Sequence, residues 1–167
     1  AAKLQGAAQI IAVDLSEERL RKSAELGATH LVNAQKEPAG EQLLKITGAQ
    51  GVDYAIESAG TAEAMEEAFR CIRDKGGLCI IAGNLSSGKT MRIDPFDLIK
   101  GKRIIGTWGG QTRPDTDIPL YAEWALSGRL MLEGLICREF GLSRINEAME
   151  YMEQRAAGRV LVNTGMA

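Results

Sequence analysis

LCIIAGNLSSGKTMRIDPF, residues 78–96, contains the pattern G-x-x-x-x-G-K-[ST] at Gly83, Gly88, Lys89 and Thr90. An apolar run, residues 78–82, precedes it, where a buried strand belongs. If the pattern is a P-loop, the chain is a nucleoside triphosphatase. A P-loop needs a helix that begins at Gly-Lys-Thr and turns its N-terminus toward the phosphates. Here Met91-Arg92-Ile93-Asp94 alternates like a strand, and Pro95 disfavours helix at Asp94. The nearest Walker-B candidate, IIAVD at residues 10–14, lies upstream, against the usual order. NLSSGK is ordinary turn composition. The stretch therefore reads as a loop at the carboxyl end of a strand in some other α/β fold, and the triphosphatase is kept only as a minor alternative.

Outward from that loop, strands and helices alternate. Residues 1–7 have the pattern of the last turns of a helix. Residues 10–13 form a short continuous apolar run, the mark of a strand buried on both faces. Ser16 caps a helix with Glu17 and Glu18 in its first turn, and Gly27 stops it. A strand is expected at 29–32, a helix at 40–46 and a strand at 52–57. A helix opened by Gly60 and Thr61 follows, with Ala64, Met65, Ala68, Phe69 and Ile72 at helical spacing. Next come the strand at 78–82, a turn of helix at Pro95 and a strand over 102–108. Pro114 and Pro119 mark a shift near 109–118. Helix is expected over 118–127, strand over 135–140, helix from Ser143 to Arg155 and strand over 160–162. The second of these helices is capped by Ser143, with Ile145, Ala148, Met149 and Met152 on one core-packing face. The alternation argues for a parallel sheet with crossover helices.

The chain has 167 residues, enough for a core without disulfides or metals. A net charge of −2 with no basic block disfavours nucleic acid and anionic membrane as partners. No apolar run approaches the ~18 residues of a membrane span, and no leader pattern opens the chain. Three widely spaced cysteines, Cys71, Cys79 and Cys137, do not make a disulfide framework and fit a cytoplasmic location. They are not at metal-chelating spacing, and the single histidine, His30, reads as structural.

Asp14 ends the first apolar run. An acid at the carboxyl end of a strand in a dinucleotide-binding fold accepts hydrogen bonds from the adenosine ribose and repels a 2′-phosphate, which favours NAD over NADP. Its other reading is a turn residue ahead of the Ser16 cap. The G-x-G-x-x-G fingerprint expected ~20 residues earlier is not found.

The runs IIAVDLSEERLRKSAELGATHLVNA (10–34), GVDYAIESAGTAEAMEEAFRCIRDKGGLCIIAG (51–83) and INEAMEYMEQRAAGRVLV (145–162) resemble the zinc-dependent medium-chain alcohol dehydrogenase family. The resemblance covers essentially the whole chain and corresponds to the later half of a family member. It implies an α/β, Rossmann-like doubly wound parallel sheet lacking its first strand and Gly-rich loop. Residues 1–108 would be a partial NAD-binding domain, and 109–167 a C-terminal segment returning toward the catalytic domain. It implies hydride transfer from an alcohol to NAD, with zinc polarising the alcohol, although no zinc ligand lies in this chain.

Carried over by position, Asp14 would bind the adenosine ribose and Arg19 would flank it. Ser58, Ala59 and Gly60 would lie along the adenine–ribose and nicotinamide side. Ala82, Gly83 and Asn84 would approach the nicotinamide through backbone groups, and Thr107 and Trp108 would lie near its carboxamide. Arg159 would pair with the pyrophosphate. No catalytic residue is assigned, and turnover by this chain alone is not expected. The missing central strand would leave unpaired edges. A homodimer or tetramer through the edge strand at 102–108 is expected, with a small-molecule alcohol as substrate. A non-catalytic nucleotide-binding or oligomerising remnant is the alternative. The zinc-free quinone reductase relatives are disfavoured by Asp14.

Overall fold

Short strands of four to six residues alternate with helices in the computed structural model of the protein, which describes residues 1–154 and 158–165. In chain order the first elements are β1 (Ile11–Asp14), α1 (Glu17–Glu25), β2 (His30–Asn33), α2 (Ala39–Ile46), β3 (Tyr54–Glu57), α3 (Ala62–Cys71) and β4 (Leu78–Ile81). Then follow α4 (Pro95–Ile99), β5 (Arg103–Gly106), α5 (Pro114–Leu126), β6 (Ile136–Gly141), α6 (Ile145–Glu153) and β7 (Arg159–Asn163). The chain divides into two compact units, residues 1–31 with 114–167, and residues 32–113.

The first unit opens, as expected, with the end of a helical turn. The Gln5 amide donates to the Ala1 carbonyl four residues back, and the Gly6 and Ala7 amides donate to Lys3 and Ala2 with Gly6 at φ +74°, the hydrogen-bond pattern of a glycine helix stop. The Ser16 cap is as expected: its hydroxyl accepts from the Arg19 amide at 3.4 Å. Gly27, at φ +108°, ends α1 in a conformation only glycine takes readily. Leu20 buries the inner face of α1. β1 pairs with β2. His30, half-buried at the start of β2, sets its Nδ1 2.9 Å from the Thr29 hydroxyl.

In the later part of the same unit, α5 begins at Pro114, four residues before its expected start, and runs through Pro119. Proline at the first helical position donates nothing that the helix needs, and Pro119 removes a single backbone donor. β6 and β7 pair in parallel. Ser143 does not cap α6. It lies in a 3-10 turn, and Arg144 stands at the cap position with its guanidinium on both oxygens of Glu147, at 2.9 and 2.6 Å. Ala148 is buried, but Met149 and Met152 are about half exposed, so the core-packing face expected for them is wrong over its outer part. The expected helix end at Arg155 lies outside the described residues.

The second unit holds a parallel sheet in the order β3-β4-β5. Its core is Phe69, Ile72 and Cys79, with Ala55, Ile81, Ile93 and Ile104 packed against it. Burying a side chain such as Phe69 contributes about 1.5–3 kcal/mol. Lys102 is buried at the start of β5. Its amine donates to the carbonyl of Arg70 at 2.8 Å, near the C-terminus of α3, where a cation is favoured.

Residues 91–94 are irregular despite their alternation. The Arg92 amide donates to the Glu66 carboxylate at 2.8 Å instead of to a strand, and Ile93 drops into the Phe69 cluster. The strand expected over 102–108 shortens to β5, although the Thr107 amide still bonds Ile81 at 3.0 Å. β1, β3 and β5 each pair with a strand on one side only, among the described residues.

Candidate functional site

The P-loop requirement fails in space as it does in sequence. No helix begins at Gly88, Lys89 or Thr90, and the next one, α4, starts at Pro95 and has five residues. Gly88 stands in open space at φ +78° with nothing near its missing Cβ.

Gly83 is different. Strand register puts Glu57, Ile81 and Gly106 in one row, so β3, β4 and β5 end together. Two turns leave that end, residues 58–60 and 82–84. The amides of Ala82 and Gly83 donate to the Glu57 carbonyl at 2.8 and 2.9 Å. A Cβ on Gly83 would stand 2.5 Å from the Gly60 nitrogen, and one on Gly60 would stand 2.8 Å from the Asn84 carbonyl oxygen. Gly60 also takes φ +76°, which completes the requirement for glycine there. The two turns therefore touch backbone to backbone, with Ser58, Ala59, Ala82 and Asn84 exposed around the contact. Backbone that comes this close presents amide and carbonyl groups with no side chain in the way, as close approach to a nucleotide requires.

Beside this end, the Thr107 hydroxyl is buried without a hydrogen-bond partner, while Trp108 is almost wholly exposed. A buried polar atom with no partner is uncommon and marks a place where a ligand or a water can bond.

In the first unit, Asp14 ends β1 with its carboxylate partly exposed. Oδ1 accepts from the Ser16 amide at 2.9 Å, and Oδ2 lies 3.8 Å from the Arg19 guanidinium. Asp14 thus fills the turn role that precedes the cap and keeps a second oxygen beside a cation on an accessible face. Arg159 opens β7 opposite Ile136 and is exposed. Ala157, which precedes the Gly158-Arg159 pair in the expected A-G-R run, lies outside the described residues. The structure brings residues 58–60 and 82–84 together, sets Thr107 and Trp108 just past the adjoining strand end, and groups Asp14 with Arg19.

The sequence reading missed Glu57, whose carboxylate is buried at the end of β3. The available signal was a charged residue closing an apolar strand directly before Ser-Ala-Gly.

Cys71 and Cys79 are buried thiols. Burial, and then the negative Glu67, pushes Cys71 up to about 12; burial, and then the negative Glu57, pushes Cys79 up to about 11. Both are inert near neutral pH. Among the described residues, no group of three His, Cys, Asp or Glu could hold a metal ion, and no helix is long and apolar enough to cross a membrane.

Parallel strands with crossover helices, glycine-limited turns at their carboxyl ends and an acid ending an upstream strand define a Rossmann-type nucleotide-binding fold. Comparison with known proteins agrees. The family described as zinc-binding dehydrogenase matches residues 1–127, and the chain belongs to it. An alcohol dehydrogenase of Malus domestica is 35% identical over 153 residues, covering 90% of this chain and 40% of that protein. The benzyl alcohol dehydrogenase of Acinetobacter calcoaceticus superposes over all of this chain and 45% of its own, with TM-score 0.92 and 29% identity. A zinc-binding dehydrogenase of Sinorhizobium meliloti, bound to NADP, covers 99% of this chain and 45% of its own, with TM-score 0.79 and 25% identity. The chain thus spans less than half the length of these relatives. The residues described here do not fit the zinc of the family description.

Proposed function

We propose that this chain is the NAD-binding portion of a dehydrogenase that oxidises alcohols or polyols. The observation that carries it is the backbone-to-backbone meeting of residues 58–60 and 82–84 at the shared end of β3 and β4. When bound, the nicotinamide supplies the chemistry by accepting hydride from the alcohol carbon. The chain's own residues hold and orient it. Asp14 would accept the adenosine ribose hydroxyls, with Arg19 along the same ribose. Residues 58–60 would lie along the adenine–ribose and nicotinamide side, and residues 82–84 would present backbone groups to the nicotinamide. Thr107 would offer its unpartnered hydroxyl near the carboxamide with Trp108 beside it, and Arg159 would pair with the pyrophosphate. Residues 1–108 would make up this domain, and 109–167 would return toward a catalytic domain.

Asp14 sets the choice of cofactor. Its carboxylate repels a 2′-phosphate, so NADH should bind more tightly than NADPH. In the full-length protein, Asp14→Ala should weaken NADH about tenfold and narrow its margin over NADPH, since ~1.4 kcal/mol is one decade in affinity. Unchanged NADH affinity in the variant would remove Asp14 from the site.

Subunits would join through β5, an edge strand that carries half-exposed Ile105 and leads to exposed Trp108. An exposed apolar edge is a ready pairing surface. Light scattering should show an oligomer that Ile105→Lys splits; an unchanged mass would place the contact elsewhere.

A further inference from the structure

Glu57 binds both turns of the site at once. Its Oε1 accepts from the successive amides of Ala59 and Gly60, each at 2.7 Å. Its backbone carbonyl accepts from Ala82 and Gly83. Its Oε2 reaches the other turn: a Cβ on Gly83 would stand 2.5 Å from that oxygen. The side chain is only 4% exposed, and Oε2 is buried with no hydrogen-bond donor. A buried carboxylate oxygen with no donor is costly to the fold, and an apolar residue of similar size would pack the position more cheaply. The carboxylate is best explained by what it does to the turns. Hydrogen bonds donated by two amides to one carboxylate oxygen set the direction of residues 59 and 60, and charge-assisted bonds of this kind are about twice as strong as neutral ones. The second oxygen, wedged at Gly83, sets how closely residues 82–84 approach.

We propose that Glu57 is a positioning residue of the dinucleotide site: its carboxylate fixes the spacing of residues 58–60 against 82–84, and with it the aim of their backbone groups at the nicotinamide half of the cofactor. This rests on the dinucleotide reading above. Glu57 acts through the turns and does not touch the cofactor, because its oxygens are shielded from solvent.

The experiment compares Glu57→Gln and Glu57→Ala with wild type in the full-length protein, measuring Kd for NADH, Kd for AMP and Tm. Glutamine keeps the bulk and one neutral acceptor but removes the charge. NADH should weaken about tenfold in the glutamine variant and further in the alanine variant, on the scale of a lost charge-assisted bond. AMP, which has no nicotinamide half and would meet residues 58–60 only along its ribose, should lose less affinity than NADH does in the glutamine variant, with Tm within a few degrees. Wild-type NADH affinity in Glu57→Gln overturns the proposal. So does a parallel loss of NADH affinity, AMP affinity and Tm, which would make the residue merely structural. If wild type itself binds no NADH, the dinucleotide reading has failed and the inference falls with it, a result distinguished by needing no variant.

Discussion

Gly83 and Gly88 belong to the same eight-residue pattern, yet they have opposite surroundings. Gly83 is pressed between the Glu57 carboxylate and the Gly60 backbone; Gly88 has nothing within 4 Å of its Cβ position. One is glycine because two turns meet there, the other because a surface turn takes a positive φ. A motif's letters do not carry its chemistry. The P-loop reading weights both glycines and the Gly-Lys-Thr equally, whereas packing gives the weight to Gly83 and to a residue outside the pattern, Glu57.

The contrast is sharpest in stability. Gly83→Ala forces backbone or carboxylate to move and should cost about 2–3 kcal/mol in urea unfolding, as overpacking does. It should also loosen the end of β4. The Cys79 thiol, raised to about 11 by burial and then by Glu57, is roughly a thousandth ionised at pH 8 and should resist a thiol reagent in wild type. In Gly83→Ala it should label measurably faster, while exposed Cys137 reacts at the same rate in both proteins. Gly88→Ala should cost less, about 1 kcal/mol, from the positive φ alone. Equal losses at the two glycines would break the comparison. Smallest of all, Lys89→Ala should stay within about ±0.5 kcal/mol, as for an exposed residue away from any packing. It should also change neither NADH nor ATP binding.

Where local chemistry determined local shape, the fold was legible in the sequence. Ser16 caps the helix it was expected to cap, Thr61 opens α3 as expected, and Gly27 ends α1. The failures share a cause, a tertiary partner that the pattern does not name. Residues 91–94 alternate, but Glu66 and the Phe69 cluster hold them instead of a neighbouring strand. Ser143 yields the start of α6 because Arg144 finds Glu147 one turn on. Met149 and Met152 sit at core spacing, yet each is about half exposed. Of the site, Asp14 and the glycines were visible as residues ending strands or opening turns. Glu57 was not, because a charged residue in a strand ordinarily faces solvent, and only the folded turn shows its carboxylate folded inward onto two amides.

The most direct test is to titrate the full-length protein with NADH, following energy transfer from Trp108 and Trp124 to the nicotinamide, with Mg-ATP in parallel. Saturable NADH binding and no response to Mg-ATP are expected. Saturable Mg-ATP binding lost in Lys89→Ala, with no NADH signal, would contradict the dinucleotide reading and restore GNLSSGKT as a phosphate loop.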